Sequence, residues 1–424
     1  MTRHARSRRS ALAGLAAVAL LLGACGDDDD STDGGTDAPA GTDAATETTA
    51  AADTTAAADT TAAAETTAPA DTGTDGGGLA DAQARVDAFR QPVTELPVGD
   101  PVGVQAGTKV FYVQCSVPVC EEIAVGVKAA AEAAGWELEV ASHQDTPDTV
   151  ASAFDAAIAA QPDVVLTSGN PREWFASQLS TLEEQGIPVV AWSIPEGYEP
   201  GDGISVNLLT QDDYYFYGVL MADYAATTSE SGHILFAGLP TFPVLSIVQE
   251  GFTDEIATVC PDCTVDVIEV AITDLGTNLP GQIVSELQSA PDLDTIAYAF
   301  GGMLFGVPEA IDAAGLGDQA KAISQAGGPL NFGFIAAGQH QVAEVGIASE
   351  LMGWRAIDAA ARILAGGDPG RATTPEMAVI DGHPDILAGG LPLQILEADS
   401  IKDPTALWPG VDGFQDLYKA LWGV

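Results

Sequence analysis

The stretch VFYVQCSVPVCEEIAVGVKAAAEAAGWELEVAS, residues 110–142, decides the fold. Its first four residues, 110–113, are apolar and rich in β-branched and aromatic side chains, which reads as a strand covered on both faces. Residues 121–134 then carry small apolar side chains at helical spacing and stop at Gly135. Glycine suits that place because it adopts the left-handed conformation that closes a helix. Residues 138–141 form a second strand. The unit is therefore strand, helix, strand, the repeat of a parallel sheet.

Working outward, the same alternation continues. A helix is expected over 149–160 and a strand over 164–166. A helix over 174–185 and strands over 187–191 and 204–207 complete a first series. The second series has helices over 214–226, 244–258, 282–288 and 308–314. Its strands fall at 233–237, 265–268, 296–299 and 320–324. Beyond it come a helical stretch near 338–343, a strand over 345–348, a helix over 351–364 and a strand over 377–380. The expected class is α/β, with two doubly wound parallel-sheet lobes and a ligand cleft between them. Ligands of such sheets bind beyond the carboxyl ends of the strands. Those ends (114–116, 168–170, 192–193, 238–242, 300–303 and 325–328) carry Asn, Ser, Gln, Trp and Phe. Such a set of apolar surfaces and neutral hydrogen-bonding groups suits holding a molecule more than transforming it.

Residues 108 to about 380 resemble the type 1 solute-binding proteins of ABC importers, in the ribose- and galactose-binding branch. The resemblance rests on GVKAAAEAAGW (126–136), QPDVVL (161–166), GIPVV (186–190), QEGF (249–252), PDLDTI (291–296), MLFG (303–306) and ARILAG (361–366), taken in order. It implies a non-catalytic monomer that closes over a small organic ligand and docks on a membrane permease. The N-terminal lobe is then expected at 105–207 plus about 328–366. The C-terminal lobe is expected at 208–327 plus about 367–424, with 79–104 as a short helix and irregular lead-in.

The departures from the family pattern concern its charged anchors. Sugar binders of this branch place Asp-Arg where Ser193 and Ile194 stand, Arg at Val248, and Asn-Asp at Phe300 and Gly301. Their next Asp falls near Ala326, beside Gln325. The ligand set expected here is Ser116, Asn170, Trp174, Trp192, Ser193, Asn207, Phe242, Val248, Phe300, Gly301, Gln325 and Ser349. With few charges to grip hydroxyls, an aromatic or weakly polar solute is expected. The alternative is a sugar stacked on Trp and bonded to Asn170, Ser193 and Gln325. A further alternative is presentation of the ligand to a membrane sensor.

Upstream, 1–10 is basic, 11–22 is apolar, and the segment ending at Cys25 resembles the lipobox of bacterial lipoproteins. Residues 1–24 are thus expected to be an export signal, too short to span a bilayer as a helix. Cys25 is the expected lipid attachment, giving an extracytoplasmic, membrane-anchored protein. Residues 25–78 are low-complexity Asp, Thr, Ala and Gly. They are expected to be a solvated tether, since they have little to bury against the entropy of ordering.

The chain has 424 residues, 61 acidic and 15 basic, for a net charge of −46. That balance excludes nucleic acid as a partner, because phosphate recognition needs clustered cations. Of five cysteines, Cys115 with Cys120 and Cys260 with Cys263 are expected to form disulfides outside the cytoplasm. Redox and zinc roles for Cys260 and Cys263 are the alternatives. The five histidines show no metal-ligand spacing, and no Walker or dinucleotide motif occurs, so no cofactor or metal is expected. Asp145, Asp148, Asp212, Asp213 and Asp274 read as solvated surface acids.

Overall fold

The computed structural model describes residues 77–195, 202–369, 379–380 and 383–424. The expected export signal, Cys25 and residues up to 76 of the expected tether lie outside the described residues, while its last two, Gly77 and Gly78, begin a helix instead. Two parallel sheets account for most of the strands. The first is built from β1 (Lys109–Gln114), β2 (Glu137–Ser142), β3 (Val164–Ser168), β4 (Val189–Trp192) and β5 (Val206–Asn207), in the order β2-β1-β3-β4-β5. Before it comes α1 (Gly77–Phe89), and among its strands lie α2 (Pro118–Ala134), α3 (Pro147–Ala160) and α4 (Ala176–Glu184).

Alternation along these strands explains why helices cover both faces. Phe111 and Val113 of β1, with Val165 and Ala191, pack into one cluster with Val150 and Phe154 of α3 and Leu179 of α4. Val110, Tyr112, Leu166 and Trp192 point the other way, into a cluster with Ile123 and Val127 of α2.

The second sheet follows α5 (Gln211–Thr228). It contains β6 (His233–Gly238), β7 (Thr264–Glu269), β8 (Thr295–Tyr298), β9 (Lys321–Gln325) and β10 (Gln341–Val345). Its helices are α6 (Pro243–Val259), α7 (Leu279–Ser289), α8 (Val307–Ala313) and α9 (Pro329–Ala337). After α10 (Ser349–Leu364) come a small antiparallel pair, β11 (Val379–Ile380) with β12 (His383–Leu387), then β13 (Ile395–Leu396) and α11 (Phe414–Trp422). The order is β13-β10-β9-β8-β6-β7, with β13 alone antiparallel to its neighbour.

Each lobe contains one very close helix crossing, and glycine makes both possible. A Cβ on Gly126 of α2 would lie 2.0 Å from the Glu350 carbonyl, and one on Gly353 of α10 would lie 2.2 Å from the Val127 nitrogen. In the second lobe, a Cβ on Gly218 of α5 would lie 2.1 Å from the Val248 carbonyl. One on Gly251 of α6 would meet the Tyr215 carbonyl at the same distance. Backbones in such contact leave no room for any side chain.

Three features differ from the expectation. The helix expected at 338–343 lies earlier, as α9, because Gly338 adopts φ 64° and closes it. The strand expected at 345–348 is β10, hidden in the sequence by Gln341 and Glu344, which are polar yet fully buried. The lobe boundary expected near 328 moves with them. The chain stays in the second sheet through β10 and returns to the first lobe only with α10, which packs along α2. The tail is likewise divided, since β13 joins the second sheet while α11 packs on α2 and α10.

The lead-in touches both lobes. α1 packs on α5 and α6, where Arg85 Nε donates to Asp223 at 2.6 Å and the guanidinium also bonds Glu255. Further on, Val102 N donates to the Leu421 carbonyl at 2.9 Å, and Gly107 N to that of Gly135 at 2.8 Å.

Candidate ligand-binding cleft

The carboxyl ends of β1, β3, β4 and β9 converge, with the starts of α2 and α6, on a cavity of about 70 Å³. It is small beside the ~300–1,000 Å³ common for ligand pockets, and holds room for a few waters. The first lobe contributes Trp192, Ser168 and the loop 115–120. The second contributes Phe242, Leu245, Phe300 and Gln325, and Leu209 and Ile347 enter where the chain changes lobes.

Local sequence explains these positions. Trp192 ends β4 on the α2 side of the sheet, its ring 5.5 Å from that of Tyr112. Phe242 precedes Pro243, which starts α6 with no lost hydrogen bond. Phe300 turns into the cavity beside Gly302, where a Cβ would come within 2.4 Å of the Phe300 ring. Ser193 and Ala326, at the ends of β4 and β9, both have positive φ (60° and 54°), uncommon for residues with a Cβ. Strain of this kind persists where the surroundings fix it, often at binding sites.

The polar groups on the wall are few. Ser193 Oγ and Tyr214 OH share a hydrogen bond of 2.6 Å. Gln325 donates Nε2 to the Ala299 carbonyl at 2.7 Å, which orients the amide. Its Oε1 is buried and has no hydrogen-bond partner among the described residues. No Asp, Glu, His, Lys or Arg lines the cavity among the described residues.

Charged groups stand behind the wall instead. Asp145 Oδ2 accepts from Ser116 N at 3.0 Å and from the Ser116 hydroxyl. His143 is buried beside it, Nδ1 at 3.5 Å from Asp145 Oδ1, and its Nε2 accepts from Asn170 Nδ2 at 3.3 Å. Burial holds the His143 imidazole below its usual pKa, so it is neutral near pH 7. In the second lobe Glu344 is fully buried and accepts from Ser324, Gly327 N and Gln341. Burial pushes its carboxyl up to about 8. Glu122 of α2 stands nearby, bonded by Ser349 Oγ at 3.2 Å, and is raised by burial too.

Five of the residues expected from sequence line the cavity together: Trp192, Ser193, Phe242, Phe300 and Gln325. The others do not reach its wall. Ser116 turns to Asp145, and Asn170 is buried behind Ser168, bonded to its carbonyl at 3.1 Å. Trp174 packs on the α3–α4 side of the sheet, away from the cavity. Asn207 bonds the Ile194 carbonyl at 2.8 Å, Ser349 bonds Glu122, and Gly301 accepts from Asn331. Val248 is core against Gly218, while Val244 and Leu245, nearly a turn earlier on α6, line the wall.

Two acids expected on the surface are buried. Asp145 sits in a left-handed turn under Ser116, and Asp213 caps α5 by accepting from Thr210 N at 2.6 Å. Sequence reasoning also missed Tyr214, Leu209 and Ile347 as wall residues. Tyr214 lies inside α5, away from any strand end, and the other two lie at lobe changes, where strand ends give no signal.

The two expected disulfides are present, with Cα separations of 5.7 Å for Cys115–Cys120 and 5.3 Å for Cys260–Cys263. Both sulfurs of the first belong to cavity-lining residues. Among the described residues no cluster of three or more His, Cys, Asp or Glu could hold a metal. No described helix is long and apolar enough to cross a membrane.

Two doubly wound lobes meeting at a neutral, largely apolar cavity define a cleft-type small-molecule binding protein. Residues 110–368 match the profile of a family described as the periplasmic binding protein domain, and the chain belongs to that family. No curated protein gives a significant sequence match.

Similar solved structures include the 5-methylthioribose transporter solute-binding protein of Thermotoga lettingae TMO, in complex with 5-methylthioribose. Its TM-score is 0.60 and its identity 16%, over 78% of this chain and 99% of that one. An ABC transporter solute-binding protein of Agrobacterium vitis bound with α-D-tagatopyranose has TM-score 0.58 and 17% identity, over 71% and 98%. One from Actinobacillus succinogenes 130z with bound D-allose has TM-score 0.58 and 15% identity, over 70% and 99%. At such identities the likeness is one of fold.

Proposed function

We propose that this chain is the extracytoplasmic receptor of an ABC importer, holding a neutral, hydroxylated solute of the sugar class between lobes that part to widen the present cavity, and delivering it to a membrane permease. One observation carries the ligand class. Gln325 Oε1 is a fixed, buried acceptor with no partner among the described residues, on a wall without Asp, Glu, His, Lys or Arg. A buried acceptor left unpaired is costly, so the favoured solute brings a hydroxyl or N–H to it. An uncharged wall disfavours a charged solute, which would lose its hydration without a partner. Trp192 offers a face on which a sugar ring stacks, and Ser193 a further polar contact. The sugars bound by the similar structures support this reading over a purely apolar ligand.

The apolar wall, with Ile123, Leu245 and Ile347, favours a second reading, an aromatic or weakly polar metabolite. Presentation to a membrane sensor would use the same binding step. In the leading reading Cys25 carries the lipid and 25–78 tethers the folded body to the membrane.

Thermal-shift screening of the full chain separates the ligand classes, since a ligand of the native state raises the transition temperature by mass action. D-Ribose, D-allose and D-tagatose are expected to raise it. A response confined to aromatic acids or steroid-like compounds would replace the first reading with the second. Cys25→Ser is expected to move the exported protein from the membrane fraction to the medium.

A further inference from the structure

The Cys115–Cys120 bridge has a position that fold stability alone does not require. It joins the end of β1 to the first turn of α2, five residues apart in sequence. Closing so short a loop removes less chain entropy than closing a long one. The turn also has its own support, because Pro118 starts α2 and Cys120 N donates to the Val117 carbonyl at 2.9 Å.

What the bridge does shape is one wall of the cavity. Cys115, Val117, Val119 and Cys120 all line it, and Ile123 continues the wall one turn further along α2. The loop's single hydroxyl is kept off that wall, since both Ser116 N and its Oγ donate to Asp145. Asp145 is itself buried, in a left-handed turn, with His143 behind it. Cys115 Sγ lies 3.3 Å from Ser168 Oγ, which ties the bridge to the end of β3. The side chains that the loop contributes to the cavity wall are therefore those of two valines and the cystine, with no hydroxyl among them. Gln325, with its unpartnered acceptor, belongs to the other sheet.

We infer that the loop closed by Cys115–Cys120 is a specificity element, selecting solutes that carry an alkyl or thioether group in place of one hydroxyl. This inference rests on the sugar-class reading and narrows it. A hydroxyl against this wall gives up water for no partner, whereas a methyl or thioether gains burial and soft contact with sulfur. The bridge holds Val117 and Val119 in place, so the wall is formed before the solute arrives and less ordering is needed on binding.

The test is titration calorimetry of the full chain with two matched pairs. These are D-ribose against 5-methylthio-D-ribose and D-allose against 6-deoxy-D-allose. The wild type is expected to bind the apolar member of at least one pair tenfold or more tightly than its partner. Cys115→Ser/Cys120→Ser should bring that ratio within threefold, while Cys260→Ser/Cys263→Ser, away from the cavity, should leave it unchanged. Should the first double variant fold poorly, Val119→Ser keeps the bridge, changes the wall alone, and should lower the ratio at least threefold.

Equal or weaker binding of both apolar members by the wild type would overturn the inference and leave the sugar reading standing. A ratio unmoved by the bridge variant and by Val119→Ser would do the same. Absence of binding by all four sugars would overturn both.

Discussion

Ser193 and Tyr214 are hydrogen-bonded at 2.6 Å although they belong to different lobes. Ser193 directly follows β4 of the first sheet, and Tyr214 lies in α5, which packs on strands of the second. The pair closes one side of the cavity, and burial pushes the Tyr214 phenol well above its usual pKa, so it remains a neutral donor.

A bond of this kind is worth about 0.5–1.5 kcal/mol. It exists only where the lobes are together, so removing it favours opening. Tyr214→Phe and Ser193→Ala are each expected to enlarge the particle in small-angle scattering without lowering helix content. The double variant should do little more than either single one, because both delete one bond. Fully additive effects would show that the two residues act separately.

Close helix crossings give a second prediction. Gly126→Ala and Gly218→Ala each place a methyl where a carbonyl oxygen already lies, at 2.0 and 2.1 Å. The neighbours are backbone, which cannot rotate aside. Each substitution is expected to cost at least the ~1–3 kcal/mol of an overpacked core, read as a lower denaturation midpoint. Gly333→Ala, with open space around its Cβ, should leave stability unchanged or slightly higher.

Much of this architecture is legible in the chain because strands and helices carry different periods. Val110–Val113 and the small-residue helix after it announce a covered parallel sheet without further information. What misleads is a buried polar residue. Gln341 and Glu344 interrupt β10 on paper, yet each is satisfied by partners far off in sequence, among them Ser324 and Asn331. The site shows the same limit. Strand ends point to Trp192, Phe300 and Gln325, and these three line the cavity. Nothing in a local window says that Trp174 lies on the opposite sheet face, or that Tyr214 crosses from the other lobe.

The lead-in helix yields a third prediction. Asp223 is fully buried and its main cation is Arg85, whose side chain is one-third exposed. Arg85→Met removes that charge and leaves the carboxylate with little water to replace it. Losses of ~3–5 kcal/mol follow when a buried pair is broken, and the partial exposure of Arg85 places this case at the lower end. Arg85→Met/Asp223→Leu should recover much of the loss in thermal unfolding. If the double variant is no more stable than the single one, the cost lies in packing of α1 and not in the stranded charge.

Glu344 gives the fourth, through pH. Its carboxyl titrates near 8 in the fold, chiefly through burial, against an ordinary value of 4.5. The groups around it are Ser324 on β9, Gly327 N, Gln341 on its own strand and Glu122 from α2, none of them cationic. The folded state therefore holds the proton more tightly than the unfolded chain. Its contribution is complete below about 4.5 and is lost as pH rises through 8. His340 acts in the opposite sense. Burial lowers it to about 4, so its contribution is present above its ordinary 6.5 and is lost on acidification. The two slopes oppose each other between about 4.5 and 6.5. Above that range Glu344 is joined by His233, which Asp266 and Asp292 hold above its ordinary 6.5. The His233 contribution is likewise lost as pH rises. Glu344 is expected to contribute a fall of ~1.5 kcal/mol from pH 6.5 to 8, a little under one proton's full slope because it is half ionised at 8. Glu344→Gln keeps an uncharged group of the same shape and should flatten the fall in denaturant titrations. A slope identical in wild type and variant would assign the alkaline loss to another group.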